Sequence, residues 1–186
     1  MNWKSTIIPR TFYDRSPINV AQELLGKFLV RRMDDKYLVG IITETEAYLA
    51  SGDSAAHNFK GMTKRNESLY KAAGHTYIHS MRGWNLIDVV TEGIDIPSSV
   101  LIRAIEPLEG IEGPTNGPGK VCKALSITLN LNGIDITNPN SEIFIARGEK
   151  EVLHEITSSS RVGISSAKDM PLRFYLAGNI SVSKKK

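Results

Sequence analysis

Cysteine is almost absent from this sequence. Cys122 is the one cysteine among 186 residues, so no disulfide can form within the chain. Such cysteine usage is typical of a reducing compartment, and we expect a cytoplasmic protein. The sequence also lacks an apolar stretch long enough to cross a bilayer, and residues 1–10 lack the apolar segment of a signal peptide. These absences argue against a secreted, disulfide-stabilised protein and against a membrane partner.

An excess of charge of either sign is also missing. The chain carries 23 Lys and Arg against 20 Asp and Glu, a net charge of +3. Three of these bases are Lys184, Lys185 and Lys186, a short basic tail that we expect to be flexible. Without this tail, acidic and basic residues are equal in number. A nucleic-acid site would therefore depend on a local concentration of basic side chains.

Metal and cofactor motifs are missing as well. The four histidines, His57, His75, His79 and His154, show no tight pairing with cysteine and no helical partner four residues away. The phosphate-binding pattern GxxxxGK[ST] does not occur. The sequence therefore predicts neither a metal site nor a bound cofactor.

Hydrophobic content of 41% and charged content of 23% are typical of a globular domain. Ser16 followed by Pro17 predicts the start of a helix that Gly26 ends, and a second short helix is expected over 119–125. Apolar runs predict strands over 28–33, 37–48, 75–81, 84–91, 99–105, 141–147, 151–156, 161–163 and 172–176. Two hairpins are expected, 28–33 with 37–48 and 141–147 with 151–156. The whole chain, 1–186, is expected to form one compact α+β domain with a curved, mostly antiparallel sheet and a few flanking helices.

Two carboxylates stand out at the end of the longest predicted strand. Glu44 and Glu46 are two residues apart, so their side chains share one face, and Tyr48 and His57 follow closely. A carboxylate beside flat rings could activate water against a planar substrate. The spacing leaves open the alternative of a half-buried strand with a solvated acidic edge.

Arg103 lies inside an apolar, β-branched strand, where a charge needs a partner. It could face solvent or pair with Glu106 or Glu109. Alternatively, it could pair with a site carboxylate such as Glu46, which would then stay ionised and help to hold a water.

Two further segments could meet phosphate groups. The run GPGK at 117–120 precedes the second predicted helix and could offer backbone amides, although a turn that caps the helix explains it equally well. Lys60, Lys64 and Arg65 form a basic cluster in a polar loop. This cluster is either a solvated face or a contact for DNA phosphates.

Several stretches occur together in an order that is similar to a known family. They are LLGK at 24–27, LVRR at 29–32, ETEAY at 44–48, AAH at 55–57, RN at 65–66, residues 100–110, GPGK at 117–120, CKAL at 122–125, RVGI at 161–164 and PLRFY at 171–175. With these motifs the chain resembles the 3-methyladenine DNA glycosylases of the alkyladenine (methylpurine) type.

The resemblance implies a monofunctional base-excision repair enzyme. Such an enzyme flips 3-methyladenine, 7-methylguanine or hypoxanthine out of double-stranded DNA and hydrolyses the N-glycosidic bond with an activated water. The protein is then expected to be a monomer, and to be associated with the nucleoid when it is bound to DNA.

The resemblance also assigns residues. Glu46 matches the general base, Arg103 the arginine that holds the attacking water, and Val162 the position whose backbone carbonyl does the same. Tyr48 and His57 match rings that line the base pocket. The residues expected at the DNA surface are Lys64, Arg65, Arg82, Leu101, Gly119, Lys120 and Lys123.

Three positions depart from the family pattern. His79 replaces a stacking tyrosine, Arg82 replaces the tyrosine that wedges into the duplex, and Asp88 aligns loosely with a pocket asparagine. The altered wedge motivates an alternative function, a non-catalytic or weakly catalytic protein that binds lesions or bent DNA. A hydrolase of free nucleosides that uses both Glu44 and Glu46 is disfavoured, because carboxylates on one face do not flank a substrate.

Overall fold

One curled antiparallel sheet organises the chain. Within residues 3–148 and 155–183, which the computed structural model describes, the sheet has eight strands. They are β1 (Phe28–Met33), β2 (Lys36–Tyr48), β3 (Thr76–Met81), β4 (Trp84–Thr91), β5 (Ser98–Glu109), β6 (Ile143–Ala146), β7 (Ile156–Ser159) and β8 (Arg173–Leu176).

The long strand β2 lies at the centre. The strand order is β3-β4-β5-β2-β1-β6, and β8 also pairs with β2 and carries β7 on its far side. The first half of β2 pairs with β1, whereas Glu44, Thr45 and Glu46 pair with β8. β5 follows the opposite edge of β2 along nearly its whole length. The backbone at the end of β2 is therefore hydrogen-bonded on both edges, and the side chains of residues 42–47 are fully buried.

Short helices cover the sheet. The described residues contain α1 (Arg10–Tyr13), α2 (Pro17–Leu24) and α3 (Pro118–Ala124), with 3-10 turns at Trp3–Thr6, Glu67–Tyr70 and Leu129–Leu131. Pro17 occupies the first turn of α2, where its missing N–H costs nothing. After α2, Gly26 adopts φ +81°, which lets the chain reverse into β1. In the part of the chain that the structure describes, no helix is both long and apolar enough to span a membrane.

The hydrophobic core lies between the sheet and these helices. α2 packs on β2 and β5, and α3 packs on β4 and β5. Val20, Ala21 and Leu24 of α2 are fully buried in this layer. Burial of this face, at about 25 cal/mol per Å² of apolar surface, holds α2 in place, because a helix of eight residues is marginal by itself.

The predicted fold class is confirmed: the protein is a compact α+β domain with a curled antiparallel sheet. The hairpin of β1 and β2 is confirmed, and Met33 pairs with Lys36 next to its turn. The predicted strands over 75–81 and 84–91 correspond to β3 and β4, and the predicted short helix corresponds to α3.

Among the described residues, β6 pairs with β1, and β7 begins at Ile156 and pairs with β8. Residues 149–154, which include most of the strand predicted over 151–156 and His154, lie outside the described residues, as do residues 184–186 of the basic tail. The second predicted hairpin, 141–147 with 151–156, therefore stays a prediction. The strand predicted over 161–163 is wrong, because these residues form a bend in which Gly163 has φ +80°.

Candidate active site

Irregular pairing between β2 and β5 brings three charged side chains together. Glu44 lies opposite Ala104 and Thr45 lies opposite Ile102, so Arg103 is an extra residue between two paired positions. Such a bulge bends the strand and re-aims a side chain. Arg103 consequently contacts both Glu44 and Glu46, at 3.0 and 3.2 Å.

Glu46 is fully buried and is held by three neighbours. Its Oε1 accepts a hydrogen bond of 2.7 Å from the backbone N–H of Val162 and lies 3.2 Å from Nη1 of Arg103. Its Oε2 accepts a hydrogen bond of 3.0 Å from the hydroxyl of Tyr48. Burial raises the pKa of Glu46 above its ordinary value of 4.5, and Arg103 and these two hydrogen bonds offset only part of that rise. The carboxylate is therefore poised to take up a proton.

Val162 differs from the expectation in one respect. Its N–H group, and not its carbonyl oxygen, faces Glu46 in this structure. The contact orients the carboxylate from the loop that follows β7. The role of the carbonyl oxygen stays a prediction.

The pair of Arg161 and Asp53 holds that loop in place. The guanidinium of Arg161 donates two hydrogen bonds of 2.6 Å to Asp53 and one of 3.0 Å to the carbonyl of Ala47, and both charged side chains are 0% exposed. Arg161 also lies over the ring of Tyr48, 4.6 Å from its centre. This pair was not predicted, because Asp53 and Arg161 are 108 residues apart. It packs the loop after β2 against the loop that carries Val162.

The interpretation of Glu44 as part of a solvated acidic edge is wrong. Glu44 is 0% exposed and bonds to Arg103, Arg173 and Ser183. Burial would raise its pKa, but Arg103, Ser183 and Arg173 together hold the pKa below its ordinary value. Neighbouring carboxylates of one strand thus have opposite pKa shifts. Arg173 and Ser183 reach Glu44 from β8 and from the end of the described chain, and neither contact was predicted.

Beside Glu46 lies a cleft walled by rings. His57 and His79 meet edge to face with 4.4 Å between ring centres, and Tyr77 stacks on His79 at 5.0 Å. His57 Nδ1 and the hydroxyl of Tyr77 are 2.9 Å apart. Tyr48 joins this cleft to Glu46. The remaining lining residues are Ala55, Asn58, Leu69, Met81, Leu86, Asp88, Ser99, Leu101 and Ile164.

Asp88 and His79 form the polar part of this cleft. His79 Nδ1 and Asp88 Oδ2 are 3.4 Å apart, and Ser99 donates a hydrogen bond of 3.1 Å to Asp88. Burial raises the pKa of Asp88 to about 7, and Glu46 contributes in the same direction. Burial, followed by the charges of His57 and Arg65, lowers the pKa of His79 to about 3. At neutral pH the imidazole of His79 is therefore uncharged.

The raised pKa of Asp88 predicts a pH-dependent gain in stability for Asp88→Asn. A carboxyl group whose pKa is raised by folding stabilises the folded protein fully when the pH is below the pKa that the group has in the unfolded chain. This stabilisation is lost as the pH rises through the pKa of the folded state, which is about 7 for Asp88. Urea unfolding gives the difference in the free energy of unfolding between Asp88→Asn and the wild type. This difference should favour the variant by roughly 1–3 kcal/mol more at pH 8 than at pH 5. Asp169→Asn, at an exposed carboxylate, is the matched control. An equal difference at both pH values would contradict the prediction.

Comparison with known proteins identifies the family. The family model described as Methylpurine-DNA glycosylase (MPG) matches residues 11–180. The chain belongs to the methylpurine-DNA glycosylase family. This membership confirms the family resemblance and the prediction of a monofunctional DNA N-glycosylase that acts in base excision repair.

Relatives of this glycosylase extend over nearly the full chain. One from Carboxydothermus hydrogenoformans is 40% identical over 192 residues, which cover 96% of this chain and 100% of the relative. One from Francisella tularensis is 42% identical over 183 residues (90% and 94%), and one from Bacillus licheniformis is 41% identical over 200 residues (99% and 100%). Each carries the name "Putative 3-methyladenine DNA glycosylase".

A DNA glycosylase needs a duplex-binding surface, and several predicted residues lie near the mouth of the cleft. Arg82 is exposed in the tight turn between β3 and β4, where it and Gly83 have φ values of +50° and +81°. Arg65 donates a hydrogen bond of 2.7 Å to the carbonyl of Ser80, which brings its loop against this turn. Lys64, next to Arg65, is exposed.

The start of α3 lies against the same turn. A Cβ atom on Gly119 would come within 2.8 Å of Trp84, so glycine allows this close packing. Lys120 and Lys123 of α3 are exposed. Leu101, predicted as a DNA contact, is 4% exposed and lines the cleft, and its contact with DNA stays a prediction.

The turn between β3 and β4 also exposes two apolar side chains that were not among the predicted site residues. Met81 and Trp84 are 44% and 45% exposed, and Met81 lies at the border of the cleft. Their signal in the sequence was an apolar residue on each side of a two-residue turn. The glycosylase therefore presents an apolar pair beside Arg82.

Proposed function

We propose that this glycosylase removes alkylated purines, 3-methyladenine foremost, with 7-methylguanine and hypoxanthine as further substrates. The damaged nucleotide is flipped out of double-stranded DNA into the cleft between Tyr48, His57 and His79. Glu46 then acts as the general base for the water that attacks the sugar carbon. The protein acts as a monomer, in the cytoplasm, on the DNA of the nucleoid.

The observation that carries this proposal is the state of Glu46. It is fully buried, its pKa is raised, and Tyr48 links it to the cleft. A general base is most effective when its pKa is nearer to the working pH than that of an ordinary carboxylate. Because the carboxylate must be ionised to accept the proton, the rate of base release is expected to rise with pH through a value above 4.5.

The reaction requires few catalytic groups besides Glu46. Alkylation makes the purine electron-poor, so the glycosidic bond weakens and positive charge builds up on the sugar. The carboxylate of Glu46 stabilises the positive charge on the sugar and accepts the proton of the attacking water. Arg103, 3.2 Å from Glu46, keeps the carboxylate oriented and helps to hold the water. No lysine needs to attack the sugar, so lyase activity is not expected.

The cleft favours a flat, positively charged base. The rings of Tyr48, His57 and Tyr77 offer stacking surfaces. The pKa of His79 is lowered to about 3, and that of His57 is lowered mainly by burial, so neither imidazole repels a cationic alkylated purine at neutral pH. Asp88 offers a polar edge that can hydrogen-bond the base.

The turn between β3 and β4 is suited to fill the gap that a flipped base leaves. Met81 and Trp84 supply apolar surface, which can insert between base pairs, and Arg82 supplies a charge for phosphates or the minor groove. In this proposal, these three residues together take the place of the single tyrosine that wedges into the duplex in the family. Lys64, Arg65, Lys120 and Lys123 are the proposed phosphate contacts.

Base release from defined duplexes tests the function. Oligonucleotides that carry 3-methyladenine, 7-methylguanine or hypoxanthine are incubated with the enzyme, and free base is measured together with strand cleavage. We expect base release without strand cleavage until alkali is added. No release from any of these duplexes would contradict the proposal. Tight binding to lesion DNA without release would instead favour a protein that only binds damage.

A further inference from the structure

Glu44 is fully buried, and its carboxylate accepts four hydrogen bonds. Its Oε1 accepts from Nε of Arg103 at 3.0 Å, from Nε of Arg173 at 2.6 Å and from the hydroxyl of Ser183 at 2.8 Å. Its Oε2 accepts from the backbone N–H of Ser183 at 2.6 Å. The donors come from β5, β8 and the segment after β8. Glu44 is therefore fixed in position by three separate parts of the chain.

Arg103 is shared between this network and Glu46. Its Nε bonds to Glu44, its Nη2 donates a hydrogen bond of 3.3 Å to the hydroxyl of Ser183, and its Nη1 lies 3.2 Å from Glu46. A guanidinium is planar and rigid, so the positions of two nitrogens determine that of the third. The contacts to Glu44 and Ser183 therefore determine where Nη1 meets Glu46.

The charge of Glu44 also matters for Glu46. Although burial would raise its pKa, Arg103, Ser183 and Arg173 hold the pKa of Glu44 below its ordinary value, so it is ionised at neutral pH. Ionised Glu44 offsets part of the positive charge of Arg103. Without this offset, Arg103 would lower the pKa of Glu46 further than it already does and make Glu46 a weaker base.

We propose that Glu44 and Ser183 form a positioning unit for the glycosylase reaction. They hold the guanidinium of Arg103 against Glu46 and moderate its charge there, and neither touches the substrate. This inference rests on the proposed function, in which Glu46 is the general base. Among the described residues, the charged and polar groups around Glu46 are Arg103 from β5, Glu44 and Tyr48 from β2, Asp88 from β4, Arg173 from β8, which pairs with Glu46 in register and bonds to Glu44, and Arg161 with the N–H of Val162 from the loop after β7.

Substitutions of Ser183 test the geometric part. Ser183→Ala removes the hydroxyl but keeps the backbone N–H, and we expect its single-turnover rate of base release to fall about tenfold, as for one hydrogen bond to a charged group. Ser183→Thr retains the hydroxyl and should restore most of the rate. Ser181→Ala, in the same segment, is the matched control and should release base at the wild-type rate. Equal rates for Ser183→Ala and the wild type would overturn the geometric part.

Glu44→Gln tests the electrostatic part. Its rate should fall about a hundredfold, and the acidic limb of its pH–rate profile should move to lower pH, because the charge of Arg103 is no longer offset. A purely structural role would lower the rate without moving this limb, and that result would overturn the electrostatic part. If Glu44→Gln does not fold, the Ser183 series decides the geometric part. Glu44→Asp, which retains the charge, should then leave the acidic limb at its wild-type position, and a shifted limb in that variant would overturn the electrostatic part.

A titration without DNA separates this inference from the proposed function. The carboxyl carbon of Glu46 is followed by NMR in the wild type and in Glu44→Gln, and we expect a lower pKa in the variant. A lower pKa together with an inactive wild type would refute the proposed function but support the electrostatic link between Glu44 and Glu46. An unchanged pKa would overturn the link even if the wild type releases base.

Discussion

Glu46→Gln is expected to lower the single-turnover rate of base release by about 10²–10⁴-fold, the usual contribution of a general base. Glutamine has nearly the same shape and can keep its contacts with Tyr48 and Val162, but it cannot accept the proton of the attacking water. Affinity for lesion DNA should change little, because Glu46 is buried behind Tyr48. Single-turnover base release and a binding titration on the same duplex measure the two effects.

A measurement of stability distinguishes a loss of activity caused by the missing base from one caused by misfolding of Glu46→Gln. The pKa of Glu46 is raised in the folded protein, so its contribution to stability is lost as pH rises through the folded pKa. Glu46→Gln avoids that loss and should unfold at pH 8 no more readily than the wild type. Glu109→Gln, at an exposed position on β5, is the control and should retain full activity. A Glu46→Gln variant that is folded and fully active would contradict the assignment of the base.

Asp53→Asn is expected to lower the free energy of unfolding by about 3–5 kcal/mol, the usual cost of breaking a buried ion pair. Both side chains are 0% exposed in the wild type. The change therefore leaves the charge of Arg161 buried without a carboxylate partner. Although burial would raise it, the pKa of Asp53 is held below its ordinary value by Arg161 and by the N–H groups of Leu49 and Ala55. The stability from this pair is therefore present at neutral pH and lost as pH falls through the lowered pKa.

Denaturant unfolding at two pH values checks this prediction. The difference between the wild type and Asp53→Asn should be largest near neutral pH and should shrink in acid. Glu23→Gln breaks the exposed pair with Arg15, whose side chains are 35% and 52% exposed, and should cost at most about 1 kcal/mol. Similar losses for the two variants would show that the pair of Asp53 and Arg161 adds no more than an exposed ion pair.

Local geometry explains which parts of the fold were predictable. Side chains alternate along any strand, so the placement of Glu44 and Glu46 on one face of β2 followed from spacing alone. The hairpin of β1 and β2 followed from two apolar runs joined by a short polar turn. The partner of β6 could not be predicted in this way, because pairing with β1 depends on which sheet edge is free after folding.

The site was predictable only in part, for a related reason. Glu46, Tyr48 and Arg103 were found through their motifs, and the structure brings them into contact. Tyr77 was overlooked, although it lies two residues before His79 on the same face of β3 and stacks on it. The exposed apolar pair, Met81 and Trp84, also had a local signal, one residue on each side of a turn.

The sequence by itself determined the family, the fold class and the residue types at the end of β2. Only the tertiary structure decided that Glu44 and Glu46, two residues apart, differ in the direction of their pKa shifts. Glu44 gains Arg173 and Ser183, which are 129 and 139 residues away along the chain, whereas Glu46 is more deeply enclosed and receives fewer compensating contacts. A pKa depends on solvent exclusion and on charges within a few ångströms, and both arise only when distant segments pack together.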